Sequence, residues 1–208
     1  MDPDPLLIEC LPDFQRAGET LLACGCNNSH SGNLSVRVHD RIVITRTGAM
    51  LGSLGVDDLV ATSKNPTTSA RQRASTELPV HLRIYEKTSF TAIAHGHAIW
   101  ATLAGWLGDE IKPIDVEGAY YFGRIPVIEC VPATATTEVG DALSAVFHET
   151  PVAILRGHGV FAVGDSIESA MQRITSVNDS AHLIVEAHRL GLDVDALQQK
   201  KYLRFDRP

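Results

Sequence analysis

The sequence predicts an α/β fold of three layers, in which helices cover both faces of a central, mainly antiparallel sheet. Apolar residues recur at helical spacing in a long stretch near each end of the chain, and short β-branched runs separated by turn signals fill the middle. Two of these runs are separated only by a short turn, as in an antiparallel hairpin. With 208 residues and no internal repeat or domain linker, residues 1–208 are expected to form one domain.

The first part of the chain is predicted to form a helix, a hairpin and a further strand. Apolar spacing predicts a helix over residues 6–23, which ends at a run of turn-forming residues. Alternating residues then predict strands at 32–38 and 42–45, and another strand ends near Thr62. Residues 63–73 are polar and are expected to be an exposed connection.

The next segments alternate between helices and strands. Ser75 or Thr76 is expected to cap a helix with Glu77 in its first turn. The predicted elements after that helix are a strand at 91–97, a buried helix at 98–107, a strand at 125–129, a helix at 138–148 capped by Thr137, strands at 152–156 and 160–163, and a helix from 166 to 190.

Composition and charge exclude several classes of function. The net charge of −7 and the absence of a Lys/Arg cluster argue against a nucleic-acid partner. No apolar stretch approaches the length of a membrane span, and no GxGxxG or Walker loop is present. The amino terminus does not resemble a signal peptide, and four irregularly spaced cysteines do not form a disulfide framework. We therefore expect a cytoplasmic protein.

The strongest chemical signal is the pair His95 and His97, which follows an apolar β-branched run. Side chains two residues apart leave the same face of a strand, so both imidazoles can converge on one ion. A catalytic divalent metal usually takes three protein ligands. The candidates for further ligands are Glu77 and His158, which lies between two glycines and between two predicted strands. Without such partners, the pair would be two histidines at a hydrated strand end.

Five motifs in series give this chain a specific resemblance. They are Gly32-Asn33-Leu34-Ser35, Thr45-Arg46-Thr47-Gly48, the run from Ser75 to His81, His95-Gly96-His97 and Arg156-Gly157-His158-Gly159. In order and spacing the chain resembles the class II aldolase/adducin family from about residue 6 to residue 190. The resemblance implies the class II aldolase fold and a divalent metal, typically Zn²⁺ with Mn²⁺ or Co²⁺ as alternatives.

The resemblance also implies roles for individual residues. His95, His97 and His158 would bind the metal, with Glu77 as a ligand that can leave and act as the catalytic base. The phosphate of a substrate would be bound by Asn33, Thr47, Gly48, Ser75 and Thr76. Each has a simpler structural alternative, since Asn33 can hold a turn and Ser75-Thr76 can cap a helix. His81, one turn after Glu77, is expected to be a hydrogen-bond partner rather than a ligand.

The general acid stays open between Asp115, Tyr120 and Tyr121. In the resembled aldolases this group is a tyrosine after the central helix, and alignment places Asp115 nearer that position than either tyrosine. Tyrosines in such a position are more often packing residues than acids.

The predicted activity is that of a metal-dependent aldolase, which cleaves a sugar 1-phosphate to dihydroxyacetone phosphate and an aldehyde through a metal-stabilised enediolate. Alternatives are a sugar-phosphate epimerase, decarboxylase or dehydratase of the same family, or a non-catalytic adducin-like scaffold. The epimerases resembled here carry Asp where this chain has Glu77. The resemblance also implies a homotetramer with sites near subunit borders, to which Tyr202 and Phe205 of the tail could contribute.

Overall fold

The structure, a computed structural model, describes residues 4–205, which contain eight strands and eight α-helices. The strands are β1 (Asn33–Val38), β2 (Arg41–Thr45), β3 (Leu59–Ser63), β4 (Ala92–Gly96), β5 (Glu110–Ile111), β6 (Ile125–Ile128), β7 (Val152–Leu155) and β8 (Gly159–Gly164). The helices are α1 (Pro5–Ala23), α2 (Thr68–Arg73), α3 (Leu78–Lys87), α4 (Ile99–Ala104), α5 (Val116–Tyr121), α6 (Thr137–Val146), α7 (Ile167–Arg189) and α8 (Val194–Gln198).

The strands form one sheet in the order β3-β2-β1-β4-β8-β7-β6-β5. Neighbouring strands pair antiparallel, except β6 and β7, which pair parallel. The predicted α/β class and the mainly antiparallel sheet are therefore confirmed. Strand β4 lies in the middle of the sheet between β1 and β8, so the His95 motif sits at its centre.

Alternate residues of the central strands enter two cores on opposite faces of the sheet, as the pleat requires. Ala92 and Ala94 of β4 pack with α1, α4 and α7, whereas Ile93 packs with α3 and α6. Helices thus cover both faces and complete the three layers. His95 is two residues after Ile93, so its side chain leaves the same face of the sheet and lies on the α3 side. Phe161 of β8 stacks against it there.

Most predicted elements are present, three predicted segments differ in detail, and two elements were not predicted. Residues 63–73 include the short helix α2, and α6 is capped by Thr136 rather than Thr137. Strand β5 and helix α5 were not predicted. The segment predicted as a buried helix at 98–107 is helical over Ile99–Ala104 and leaves a row of apolar side chains exposed: Ile99, Leu103, Trp106 and Leu107.

No helix within residues 4–205 combines the length and the apolar character needed to cross a lipid bilayer.

Candidate metal centre and active site

His95 and His97 are delivered by the end of β4. His95 pairs with Asn33 of β1, and the next residue, Gly96, pairs with Val160 of β8. His97 is the first residue beyond the strand, and its backbone N–H donates to Oδ1 of Asn27 at 2.9 Å. The two imidazole rings lie 4.9 Å apart. The strand therefore brings both side chains to one site, as their spacing predicts.

His158 joins them from the tight turn between β7 and β8. Gly157 has a φ of 71°, a conformation that favours glycine, and the N–H of His158 bonds to the carbonyl of Leu155 at 3.0 Å. The ring of His158 lies 4.6 Å from that of His95 and 4.8 Å from that of His97. One nitrogen from each of the three side chains lies within 4.8 Å of the others, so this cluster could hold a metal ion.

The hydrogen-bond pattern of the imidazoles fits metal binding. Nδ1 of His95 donates to the carbonyl of Val160 at 3.0 Å, which leaves the lone pair of its Nε2 free on the side of the cluster. That Nε2 lies 3.3 Å from Nε2 of His158. Nδ1 of His158 is buried and has no hydrogen-bond partner among the described residues. The close approach of these two Nε2 atoms suits a cation bound between them.

Glu77 lies against the same cluster. Its Oε2 is 3.5 Å from Nε2 of His95, and its Oε1 is 4.0 Å from Nδ1 of His158. Asn33 donates to Oε2 at 3.0 Å, and the hydroxyl of Thr134 donates to Oε1 at 3.0 Å. Both carboxylate oxygens are therefore held in a defined orientation.

The electrostatics favour an ionised carboxylate beside neutral imidazoles. Burial opposes ionisation of Glu77, but the neighbouring histidines and the hydrogen bond from Asn33 outweigh it and lower its pKa to about 2. Burial lowers the pKa of His95 to about 3, although Glu77 acts in the opposite direction. Burial also lowers the pKa of His97. At neutral pH His95 and His97 thus offer unprotonated nitrogens and Glu77 offers a negative charge, which suits a divalent ion.

A cavity of about 200 Å³ opens beside the cluster. All five residues predicted to bind phosphate line it: Asn33, Thr47, Gly48, Ser75 and Thr76. The hydroxyl of Thr47 donates to the carbonyl of Ala74 at 2.8 Å, and Oγ of Ser75 accepts from the N–H of Glu77 at 3.3 Å. The structure therefore brings together the predicted metal ligands and the predicted phosphate residues around one opening.

The start of α3 differs from the prediction. The helix begins at Leu78 with Glu77 as its N-cap residue, so Ser75 and Thr76 precede the helix and do not cap it. The N–H of Ser75 bonds to the carbonyl of Thr45 at 2.9 Å, which ties this segment to the end of β2. The N–H of Leu78 is also occupied, by the carbonyl of Ser75 at 2.9 Å.

Three residues at the site were not singled out from the sequence. Thr134 lies in the loop between β6 and α6, Asn27 bonds to the backbone of His97, and Arg46 lines the cavity. Arg46 belongs to the motif Thr45-Arg46-Thr47-Gly48, and its positive charge beside hydroxyl groups could have indicated a phosphate-binding residue. Its guanidinium also pairs with Asp58 at 2.7 Å. Nothing in the sequence around Thr134 marks it.

The three candidates for the general acid lie outside the lining of this cavity. Asp115 caps α5, with Oδ2 accepting from the N–H of Gly118 at 2.6 Å. Tyr120 and Tyr121 are exposed on α5, and the ring of Phe205 in the tail lies 5.4 Å from that of Tyr120. The tail thus packs on Tyr120 of its own chain.

Comparison with known proteins agrees with this geometry. The sequence profile described as the class II aldolase and adducin N-terminal domain matches residues 13–185. An L-fuculose phosphate aldolase from Methanococcus maripaludis is 27% identical over 161 residues, covering 77% of this chain and 87% of that protein. A methylthioribulose-1-phosphate dehydratase from Acidiphilium cryptum is 30% identical over 174 residues, covering 77% of this chain and 82% of that protein.

A solved structure shows the same fold. The crystal structure of L-fuculose-1-phosphate aldolase from Thermus thermophilus superposes with a TM-score of 0.81 at 30% sequence identity, covering 86% of this chain and 94% of that one. The matched profile spans most of the sequence and includes the three histidines and Glu77. This chain is a member of the class II aldolase and adducin family.

Proposed function

We propose that this protein is a metal-dependent aldolase that cleaves a sugar 1-phosphate of the L-fuculose-1-phosphate type to dihydroxyacetone phosphate and an aldehyde. The observation that carries the proposal is the position of Glu77, an ionised and oriented carboxylate against a cluster of three histidines. A non-catalytic scaffold would not require such a buried charge, which is costly unless it is compensated. The similarity to L-fuculose phosphate aldolases supports the same activity.

His95, His97 and His158 would hold the ion, and Glu77 is near enough to serve as a further ligand. We propose Zn²⁺, because three imidazoles and a carboxylate are a common zinc donor set, with Mn²⁺ or Co²⁺ as alternatives. When bound, the ion supplies a Lewis acid that stabilises negative charge on the carbonyl and hydroxyl oxygens of the substrate.

Glu77 acts as the base in this proposal. Its carboxylate removes a proton from the hydroxymethyl group of dihydroxyacetone phosphate in the direction of synthesis, and returns it in the direction of cleavage. Hydrogen bonds from Asn33 and Thr134 orient the carboxylate before the substrate arrives. This orientation reduces the reorganisation needed at the moment of proton transfer.

Residues on the other side of the cavity would hold the phosphate. Ser75, Thr76 and Thr47 offer hydroxyl groups, the turn at Gly48 offers a close approach to the backbone, and Arg46 offers a positive charge. The second N–H of the Asn33 amide is available for the same ligand, because the first is used by Glu77.

The test is the exchange of one hydroxymethyl hydrogen of dihydroxyacetone phosphate for deuterium in heavy water, with no aldehyde present. We expect the metal-loaded protein to catalyse this exchange, and chelation followed by metal restoration to stop and restore it. Glu77→Gln keeps the size of the side chain but removes the basic carboxylate. This variant should bind most of the metal, measured by elemental analysis, and lose exchange by at least about 1000-fold.

Absence of exchange in metal-loaded wild-type protein that binds dihydroxyacetone phosphate would contradict the aldolase proposal. A dehydratase acting on a sugar 1-phosphate is then the second candidate, because the Acidiphilium cryptum relative is 30% identical. Assay of methylthioribulose 1-phosphate for loss of water distinguishes the two activities.

We also propose a homotetramer, with the exposed apolar side chains of α4 and the segment after it in a subunit contact. Ile99 and Trp106 are 68% and 64% exposed, and a contiguous apolar surface of this kind is typical of an interface. Sedimentation should show a tetramer at micromolar concentration, and Ile99→Asp should shift it toward monomers because burying an unpaired charge is unfavourable. A wild-type monomer with full activity would contradict the proposal.

The domain organisation and the location in the cell are proposals of the same kind. We infer that residues 1–208 form one domain, because helices on both faces pack against the same sheet. We place the protein in the cytoplasm because Cys10, Cys24, Cys26 and Cys130 are free thiols, which a reducing compartment favours.

A further inference from the structure

A continuous chain of buried hydrogen bonds leads from Glu77 into the core between the sheet and α3. Asn33 donates through Nδ2 to Oε2 of Glu77 at 3.0 Å, and its Oδ1 lies 2.6 Å from Nε2 of His81. Nδ1 of His81 lies 2.7 Å from Oγ of Ser35, which is 2.8 Å from the hydroxyl of Tyr85. Each of the five residues is at most 5% exposed.

The residue spacing of a helix and of a strand places these five side chains in one series of hydrogen bonds. Glu77, His81 and Tyr85 are spaced by four residues at the cap and along one face of α3, while Asn33 and Ser35 are spaced by two on one face of β1. Side chains from the helix and from the strand therefore alternate along the chain. The last member, Tyr85, is also 3.5 Å from the carbonyl of Thr91.

The donor in each of these hydrogen bonds can be assigned from the preceding hydrogen bond, starting at Glu77. Glu77 is ionised and only accepts, so Asn33 must present Nδ2 to it and Oδ1 to His81. Since Oδ1 only accepts, the hydrogen of the imidazole lies on Nε2 of His81. A neutral imidazole carries one hydrogen, so Nδ1 of His81 accepts from the hydroxyl of Ser35, which accepts in turn from the hydroxyl of Tyr85.

We propose that His81, supported by Ser35 and Tyr85, is a positioning residue that fixes the amide of Asn33 and through it the carboxylate of Glu77. The proposal rests on the proposed role of Glu77 as base. If the imidazole hydrogen were on Nδ1, the amide of Asn33 would rotate, and its oxygen would face the carboxylate and repel it. The tautomer of a residue that does not touch the substrate thus determines the geometry of proton transfer.

A pair of amide variants separates positioning from packing. His81→Gln places an amide near the position of Nε2 and can still donate to Asn33. His81→Asn places an amide near the position of Nδ1, keeps the partner of Ser35 and loses the donor to Asn33. A residue that merely fills space would give equal exchange rates in the two variants once folded fraction and metal content are matched.

We expect metal-loaded His81→Gln to catalyse deuterium exchange of dihydroxyacetone phosphate within about 3-fold of wild type, because the donor to Asn33 is kept. His81→Asn should be slower by about 10- to 100-fold, the size expected from a misplaced catalytic group. The KM for dihydroxyacetone phosphate should change by less than about 3-fold in His81→Gln, because this variant keeps the amide of Asn33 and the other phosphate residues in place. Metal content by elemental analysis and unfolding midpoints show that both variants are folded and loaded.

Nitrogen-15 NMR of the metal-free wild type gives a readout independent of activity. Between pH 6 and 8, His81 should carry its hydrogen on Nε2 and none on Nδ1, with the signal assigned by its loss in His81→Gln. The side-chain amide of Asn33 should show one hydrogen shifted by the carboxylate in wild type and in His81→Gln, and not in His81→Asn.

Equal exchange rates in the two folded variants, or a hydrogen on Nδ1 of His81 in wild type, would overturn the proposal. If either His81 variant does not fold, Ser35→Ala and the wild-type spectrum test the proposal instead. Ser35→Ala should lower the exchange rate and the fraction of His81 with its hydrogen on Nε2. An unchanged exchange rate together with an unchanged tautomer in Ser35→Ala would contradict the proposal. Wild-type protein that shows the expected tautomer and no exchange would instead refute the aldolase activity alone.

Discussion

At the scale of single residues, Thr134 shows how a contact that the sequence does not mark can orient the proposed catalytic base. Its hydroxyl donates to Oε1 of Glu77 at 3.0 Å, although the two residues are 57 positions apart. Hydrogen bonds to a charged group are worth about 1.5–3 kcal/mol. Together with Asn33, Thr134 favours the ionised carboxylate and limits its rotation.

We therefore expect Thr134→Val to lower the deuterium-exchange rate by about 10-fold, because the isosteric side chain lacks the donor. Thr134→Ser is the matched control, since it keeps the hydroxyl and should stay within about 3-fold of wild type. The measurement is the exchange rate of dihydroxyacetone phosphate at equal metal content. Equal rates in the valine and serine variants would show that this hydrogen bond has no part in orienting Glu77.

At the scale of secondary-structure elements, the junction of β4 and β8 decides whether the three histidines converge. Gly159 is the first residue of β8, and a Cβ added there would lie 2.4 Å from the carbonyl oxygen of Gly96 and 3.1 Å from Cε1 of His95. The close approach of the two strands at the histidine cluster therefore depends on a residue without a side chain.

Gly159→Ala should force β4 and β8 apart at this point, destabilise the protein by about 1–3 kcal/mol and weaken metal binding. Gly108→Ala is the control, because its added Cβ would make only an ordinary contact of 3.6 Å with the carbonyl oxygen of Glu110. Urea unfolding and competitive titration with a metal chelator measure the two effects. Wild-type metal affinity in Gly159→Ala would contradict the assigned role of this strand junction.

At the scale of the whole molecule, buried histidines make the stability of the fold depend on pH. Burial lowers the pKa of His81 from 6.5 to about 4. Between these values the unfolded chain binds the proton more readily than the folded protein, so stability falls as the pH decreases from about 6.5 to 4. His95 and His97 act in the same direction.

The metal-free protein should therefore lose about 3 kcal/mol of unfolding free energy over this range through His81 alone. Urea denaturation at pH 7, 5.5 and 4.5 measures the loss. His81→Gln, which does not titrate, should show a shallower dependence by about 1.4 kcal/mol per pH unit within this window. Parallel curves for the variant and wild type would mean that His81 is not buried as a neutral ring.

Local patterns in the sequence determined most of the elements and the candidate metal ligands. Helical spacing identified α1 and α7, and alternation identified the hairpin of β1 and β2, because these periods follow directly from backbone geometry. The spacing of His95 and His97 is likewise a local property, and His158 lies beside Gly157, whose positive φ allows the tight turn. The order of motifs was enough to predict the family.

Contacts distant in sequence were decided only by the tertiary structure. The start of α3 is delayed to Leu78 because residues 73–75 are held along β2, with the N–H of Thr47 bonded to the carbonyl of Arg73 at 3.0 Å. A preference for helix capping at Ser75 is overridden by that pairing. The bonds of Glu77 to Asn33 and Thr134 join segments 44 and 57 positions apart. Such contacts depend on how the layers pack, which local propensity does not encode.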